Sequence, residues 1–279
     1  MLEAILPHLP ILQVVVPLIA APIAMLMWRP NAAWGFALIV TWATFGIAIL
    51  LLMQVLDQGV ILYDLGGWPS PFGIIYQVDA VNAFVVLIVA GMAALVTTYA
   101  RQGVLKEIQG RNQTLFYAVF LLCVSGLLGV TITGDAFNVF VFLEISSLAT
   151  YTLVALGAQR DKRALSSAIS YLIMGTIGAT FFVIGIGLLY MATGTLNMAD
   201  LAERISDLGE SRTVRAAFAF IVVGLGLKLA VFPLHLWLPN AYAYAPSPVT
   251  AFLAATSTKV AVYTLMRFVF TIFGTRFAF

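Results

Sequence analysis

Apolar stretches of about 19–25 residues recur along the whole chain, each long enough as a helix to cover a bilayer core of about 30 Å. Eight such stretches, the last three somewhat longer, fall at about 9–28, 33–56, 79–100, 114–133, 135–157, 164–192, 213–239 and 247–273. They predict an all-α integral membrane protein with about eight transmembrane helices. Composition agrees, since 62% of residues are hydrophobic and 9% charged, whereas soluble domains carry about 25% charged residues. A soluble fold of this size could not hide that much apolar side chain. The fourth and fifth stretches are separated only by Gly134–Asp135, which suits a tight hairpin between adjacent helices. The N-terminal run MLEAILPHLPILQVVVPLIAAPIAMLMW lacks a basic leader region and a clear small-residue cleavage site. It reads as a retained first helix, with a cleaved signal as the alternative.

Loop charge predicts orientation. Arg29, then Arg101, Lys106 and Arg111, then Arg160, Lys162 and Arg163 fall in alternate loops. The other loops are acidic or mixed, with Asp57 and Asp64, then Asp135, then NMADLAERISDLGESR at 197–212. The positive-inside rule puts the first set in the cytoplasm and both termini outside. Two outer loops have content. VILYDLGGWPSPFGIIYQVD, 60–79, has β-prone runs around a Gly/Pro turn and predicts a short hairpin. Met198, Leu201, Ile205 and Leu208 share helical spacing, with Asp200, Glu203, Arg204 and Asp207 elsewhere on the wheel, which predicts an amphipathic helix lying on the membrane.

The small net charge of +2 is scattered, so no nucleic-acid partner is implied. Cys123, the one cysteine, sits in the apolar run FLLCVSGLL and reads as a packing residue; no disulfide within the chain and no zinc cluster can form. No redox cofactor or metal is implied either, for there is no haem-attachment sequence and no dinucleotide fingerprint after a strand.

Once the charges of the loops and span ends are set aside, four charged side chains remain inside the predicted spans: Glu144, Lys228, Lys259 and Arg267. Arg267 is about two turns from its helix end and is expected to snorkel to the headgroups. The other three lie near mid-span, where a charge costs about 2.5–3.5 kcal/mol. Unpaired, the three would cost on the order of 8–10 kcal/mol, comparable to the whole stability of many proteins. They are therefore expected to be paired, hydrated or neutralised. Ser146, Ser147 and Tyr151 follow Glu144, and its cationic partner must come from another helix. Alternatively, Glu144 is neutral and serves only packing. Lys228 and His235 are seven residues apart with Pro233 between them. A helix broken there leaves free carbonyls, tolerated only beside protein or water, so a hydrated cavity and a proton-handling role for His235 are expected; a satisfied structural histidine is the plainer reading. Lys259 follows Thr256, Ser257 and Thr258 and reads as a solvated inner position or as interhelical glue. Burial disfavours an ammonium and a neighbouring carboxylate favours it, so a Glu144–Lys228 pair would act as a proton switch.

The segments GDAFNVFVFLEISSLATYTLV, GTLNMADL, GLKLAVFPLHLWLPNAY and TKVAVYTLMR resemble the antiporter-like subunits shared by complex I, membrane-bound hydrogenases and multisubunit Mrp sodium/proton antiporters. GTLNMADL and GDAFNVFVFLE look most like the Mrp D-type subunit. The resemblance implies a five-helix repeat, helices four to eight within 114–279, after an N-terminal three-helix region, 1–113. In that family Glu144 matches the ion-pair glutamate of the fifth helix, Lys228 the lysine of the broken seventh, and Lys259 the eighth-helix residue of a central hydrophilic axis. His235 matches a position that is often histidine. Asn240 departs from the acidic residue usual after WLP, and the family's second inverted repeat is absent from this chain. The resemblance thus implies partner membrane subunits, one of them expected to supply that repeat, in the plasma membrane of a prokaryote. It implies movement of protons, with exchange for sodium left open. A redox-coupled complex I or hydrogenase subunit, whose enzyme activity would belong to the whole complex, and a non-transporting scaffold are the alternatives.

Overall fold

The computed structural model describes residues 6–208 and 211–274. The predicted positions of the two termini, at 1–5 and 275–279, lie outside them, as do Gly209 and Glu210 of the acidic loop.

The chain folds as a bundle of long helices: α1 (Leu9–Leu26), α2 (Pro30–Gln58), α3 (Ala80–Glu107), α4 (Asn112–Ile132), α5 (Ala136–Ala155), α6 (Arg163–Thr193), α8 (Arg212–Leu229) and α10 (Ser247–Met266). Two short helices, α7 (Met198–Asp207) and α9 (Leu238–Tyr244), and a π turn (Arg267–Phe273) complete it. Seven helices among the described residues are long and apolar enough to cross a membrane. The chain is a multi-pass, all-α membrane protein. The expected count of eight differs at 213–239: α8 has 18 residues, carries Arg212, Arg215 and Lys228, and stops at Leu229. Its length is about 27 Å at 1.5 Å per residue, so the broken span reaches across less of the bilayer than its neighbours.

Helix α4 is central, with 83% of its most apolar window buried against 33% for α2. It packs against α1 and α5, while α2 lies on α3, α6 on α8, and α10 against α3, α4 and α8. Small residues permit these approaches. Ala33, Ala37 and Ala48 of α2 and Ala83, Ala90 and Ala93 of α3 are all fully buried, and such residues let helices close without a hydrophobic driving force. Between α6 and α8, a Cβ on Gly224 would stand 2.6 Å from the Gly178 carbonyl oxygen, so only glycine fits at that crossing.

The predicted outer hairpin is present as β1 (Ile61–Asp64) and β2 (Ile75–Val78), antiparallel with Ile61 opposite Val78. It ties down the α4–α5 turn, since the Gly134 amide donates to the Ile75 carbonyl and the Met198 amide to the Gly134 carbonyl, both at 2.9 Å. Asp135 caps α5 by accepting from the Asn138 amide at 2.7 Å. Burial holds its carboxyl above the ordinary range, opposed by the backbone amides of Asn138 and Phe137. Helix α7 corrects one expectation. Leu201 and Ile205 are buried in the core and the helix packs on the π turn, so its apolar face covers protein rather than lipid, and only Leu208 stays exposed.

Candidate functional site

Helix α5 presents Glu144, Ser147 and Tyr151 at positions i, i+3 and i+7, one face of a 3.6-residue helix. Lys228, the penultimate residue of α8, meets that face. Its ammonium lies 3.5 Å from Glu144 Oε1, donates to Ser147 Oγ at 2.5 Å and reaches the Tyr151 hydroxyl at 3.5 Å. The lysine side chain is 7% exposed and the glutamate 26%, so the pair is inside the protein and largely out of reach of lipid. Glu144 Oε1 makes no hydrogen bond among the described residues. The carboxylate therefore holds the ammonium by charge, and the hydroxyls hold it by hydrogen bonds. At 3.5 Å that attraction is about 5 kcal/mol gross at an effective dielectric of about 20, before desolvation is set against it.

Helix α8 ends just after this lysine for a local reason. Ala230 takes a left-handed conformation (φ 58, ψ 42). Its amide donates to the Leu227 carbonyl at 3.2 Å and that of Val231 to the Gly226 carbonyl at 3.1 Å, a Schellman stop. The Trp237 indole N–H then donates to the Leu227 carbonyl at 3.0 Å, covering a group that the break exposes. Trp237 stacks on Tyr171 at 4.0 Å, and Tyr171 stands edge-on to Tyr151 at 4.7 Å, so one aromatic column braces both the break and the phenol beside the lysine. A cavity of about 20 Å³ adjoins the ammonium, with Ser146, Ser147, Thr150, Tyr171 and Ser257 among its lining. That is room for one water, which needs about 10–15 Å³ and two to four polar partners.

Of the sequence candidates, the structure brings Glu144 and Lys228 together and leaves the other two outside. His235 lies half-buried in the turn after the break, beside the Phe232 ring at 5.6 Å, and its Nδ1 is buried without a partner among the described residues. It does not line the cavity at Lys228, because the shared face expected of a continuous helix is lost when α8 stops. Lys259 is exposed on the outer side of α10, its ammonium turned back to the Ala254 carbonyl. The expected inner position is not found within this chain: Phe252, Thr256 and Val260 form the buried stripe, and Lys259 projects away from it.

Arg267 corrects another expectation. Rather than snorkelling, it pairs with Asp79 and donates through Nε to the Tyr263 hydroxyl at 2.8 Å. Sequence reasoning missed Asp79, Tyr171 and Trp237, and gave Ser257 to the surroundings of Lys259 rather than to those of Lys228. Asp79 is the cap of α3 in the structure, and 188 positions separate it from Arg267. Cys123 is buried as expected, its Sγ 3.4 Å from Thr150 Oγ1.

Residues 133–278 match the family described as NADH:quinone oxidoreductase/Mrp antiporter, transmembrane. The chain is 46% identical over 271 residues to the N subunit of the NADH-quinone oxidoreductase of Desulforudis audaxviator, covering 94% of this chain and 52% of the relative. It is 33% identical over 264 residues to the D-type subunit of the Na(+)/H(+) antiporter of Bacillus subtilis, covering 94% and 52%. Among solved structures it superposes on a chain of the membrane-bound sulfane sulfur reductase, an archaeal respiratory membrane complex, with a TM-score of 0.88, 32% identity and coverage of 94% and 53%. The chain thus spans about half the length of the curated relatives it matches.

Proposed function

This chain belongs to the NADH:quinone oxidoreductase/Mrp antiporter transmembrane family, and from that premise we propose that it moves protons as one subunit of a multisubunit membrane complex, with Lys228 as the group that binds and releases them. One observation carries the reading. A lysine buried at the end of a broken helix is met by a carboxylate at 3.5 Å, two hydroxyls and a cavity of water size. Truncating either partner of a buried pair leaves an uncompensated charge, so a scaffold has no use for such a pair that apolar packing would not serve better. Glu144 sets whether the ammonium is held. Withdrawal of the carboxylate leaves Lys228 with hydroxyls and water alone, which favours release of its proton.

Residues 114–279 form the translocating unit in this reading, and 1–113 support it. Lys259 hands protons onward at the chain surface. An ammonium facing lipid near mid-span costs about 2.5–3.5 kcal/mol, and the Ala254 carbonyl is its one hydrogen-bond partner among the described residues, which favours a partner, such as one supplying a second helix repeat, covering that face of α10. His235 assists beyond the break. The basic loops face the cytoplasm of a prokaryotic cell. Exchange for sodium is supported by the relative named as part of a Na(+)/H(+) antiporter; coupling to electron transfer elsewhere in the complex has the support of the higher identity to the NADH-quinone oxidoreductase relative.

The test is proton flux in vesicles containing the assembled complex, with Lys228→Ala or Glu144→Gln in this chain. Flux falls to background in the first and drops severalfold in the second. Unchanged flux in Lys228→Ala, with the complex intact, removes the proposal.

A further inference from the structure

A second cavity, of about 70 Å³ and with a wall more apolar than polar, lies toward the hairpin end of α4, α5 and α10. Gln77, Asn82, Thr133, Tyr263 and Arg267 supply polar groups to its wall. Its volume is several times the ~10–15 Å³ that one water needs. The Asp79–Arg267 pair stands beside it. Asp79 is fixed, accepting from the Val81 and Asn82 amides at 2.9 and 3.0 Å as the cap of α3. Arg267 opens the π turn, and its Nε bonds the Tyr263 hydroxyl, which donates onward to the Thr131 carbonyl at 3.0 Å.

The two cavities are stacked. On α10 the inner one ends at Ala261 and the outer begins at Tyr263 and Thr264; on α4 the neighbouring positions are Leu127 and Val130, and on α5 Leu143 and Val139. Three or four helical residues span about 4.5–6 Å. Hydrogen-bonded oxygens lie about 2.7–2.8 Å apart, so about two such steps cross the apolar layer. We propose that the outer cavity is the second half of the proton route, a water-holding vestibule joining Lys228 to the hairpin face, and that the Asp79–Arg267 pair is its gate. The inference rests on the proton-moving reading above and adds the side from which Lys228 is reached. An arginine at the mouth of a pore repels cations; paired to Asp79 it is neutralised, and displaced toward the hairpin it opens the vestibule.

The test uses the assembled complex in sealed vesicles, with Cys123→Ala removing the chain's only cysteine. Single cysteines are placed by Val139→Cys, Thr264→Cys and, at the 90% exposed hairpin tip, Phe72→Cys, which reports sidedness. A small membrane-impermeant methanethiosulfonate is applied from either side and adducts on this chain are read by mass. Val139→Cys and Thr264→Cys are expected to react from the Phe72 side only, about fivefold faster when Asp79→Asn removes the ion pair. Asparagine caps helices as well as aspartate, so α3 keeps its start. Modification of Thr264→Cys is expected to lower flux to background from whatever level the unmodified variant carries, each variant being its own reference. The route is overturned by no adduct in either background, by adducts only from the face opposite Phe72, or by flux persisting after full modification. Unchanged flux in Lys228→Ala instead takes down the parent reading, whatever the adducts show, and with it the claim that the vestibule serves Lys228.

Discussion

Gly175 of α6 stands opposite the Tyr151 hydroxyl so closely that an added Cβ would lie 1.8 Å from it. Ordinary contacts between carbon and its neighbours are about 3.5–4.0 Å, so Gly175→Ala obliges the phenol to retreat by about 1.7 Å. It has no space to do so: Tyr151 is 6% exposed and packs edge-on against Tyr171. Overpacking of this kind costs about 1–3 kcal/mol, and the helix preference of alanine over glycine returns about 0.8–1.0 kcal/mol. A net loss of about 1–2 kcal/mol is expected. The hydroxyl is at 3.5 Å from Lys228, the limit of a hydrogen bond, so its displacement disturbs that contact, and under the proposed function proton flux is expected to change with it. In a Tyr151→Phe background the nearest atom becomes the ring carbon at 2.8 Å, and much less movement is needed. The four corners of this cycle, measured by thermal unfolding of the complex in one detergent, should show a coupling of about 1–2 kcal/mol, the range of residues in contact. Additivity within about 0.5 kcal/mol, or a Gly175→Ala protein as stable as its parent, would refute the packing on which the site geometry depends.

Two further outcomes follow from local structure. Ala230 holds a left-handed conformation that costs an L-residue about 1–2 kcal/mol and glycine little; Ala230→Gly should therefore raise the stability of the complex by about 0.5–1 kcal/mol after the greater freedom of unfolded glycine is subtracted, read as a higher melting temperature. In α7 the Arg204 guanidinium bonded to Asp200 holds that carboxyl below its ordinary value of 3.8. A depressed carboxylate contributes stability above its unfolded pKa and loses it as pH falls through the folded one, so the protection of the Leu201–Ile205 amides, corrected for the intrinsic exchange rate at each pH, should fall below about pH 4 and lose that pH dependence in Asp200→Asn.

Seven of the eight expected spans were legible because apolar length alone sets them, and the break in the other was legible because Lys228 and Pro233 violate the rules of a continuous span. The Glu144–Lys228 pair followed from cost: a mid-span carboxylate without a cation on its own helix needs one from another. Azimuth was not legible. Lys259 lies near the middle of its span, but Thr256, Ser257 and Thr258 place hydroxyls on several sides of α10, so the sequence does not mark which side faces the core. Nor was Arg267–Asp79, since a residue near a helix end has a headgroup alternative and its partner lies 188 positions away. Helix α7 shows the same ambiguity, because an amphipathic wheel specifies an apolar face without saying whether lipid or protein covers it.

The most direct measurement is proton flux through the assembled complex carrying Lys228→Arg. Arginine keeps the positive charge beside Glu144 and cannot give up its proton. The account predicts an assembled complex with flux at background. Flux near that of the parent would contradict it, since a permanent cation would then serve where a releasable one is claimed.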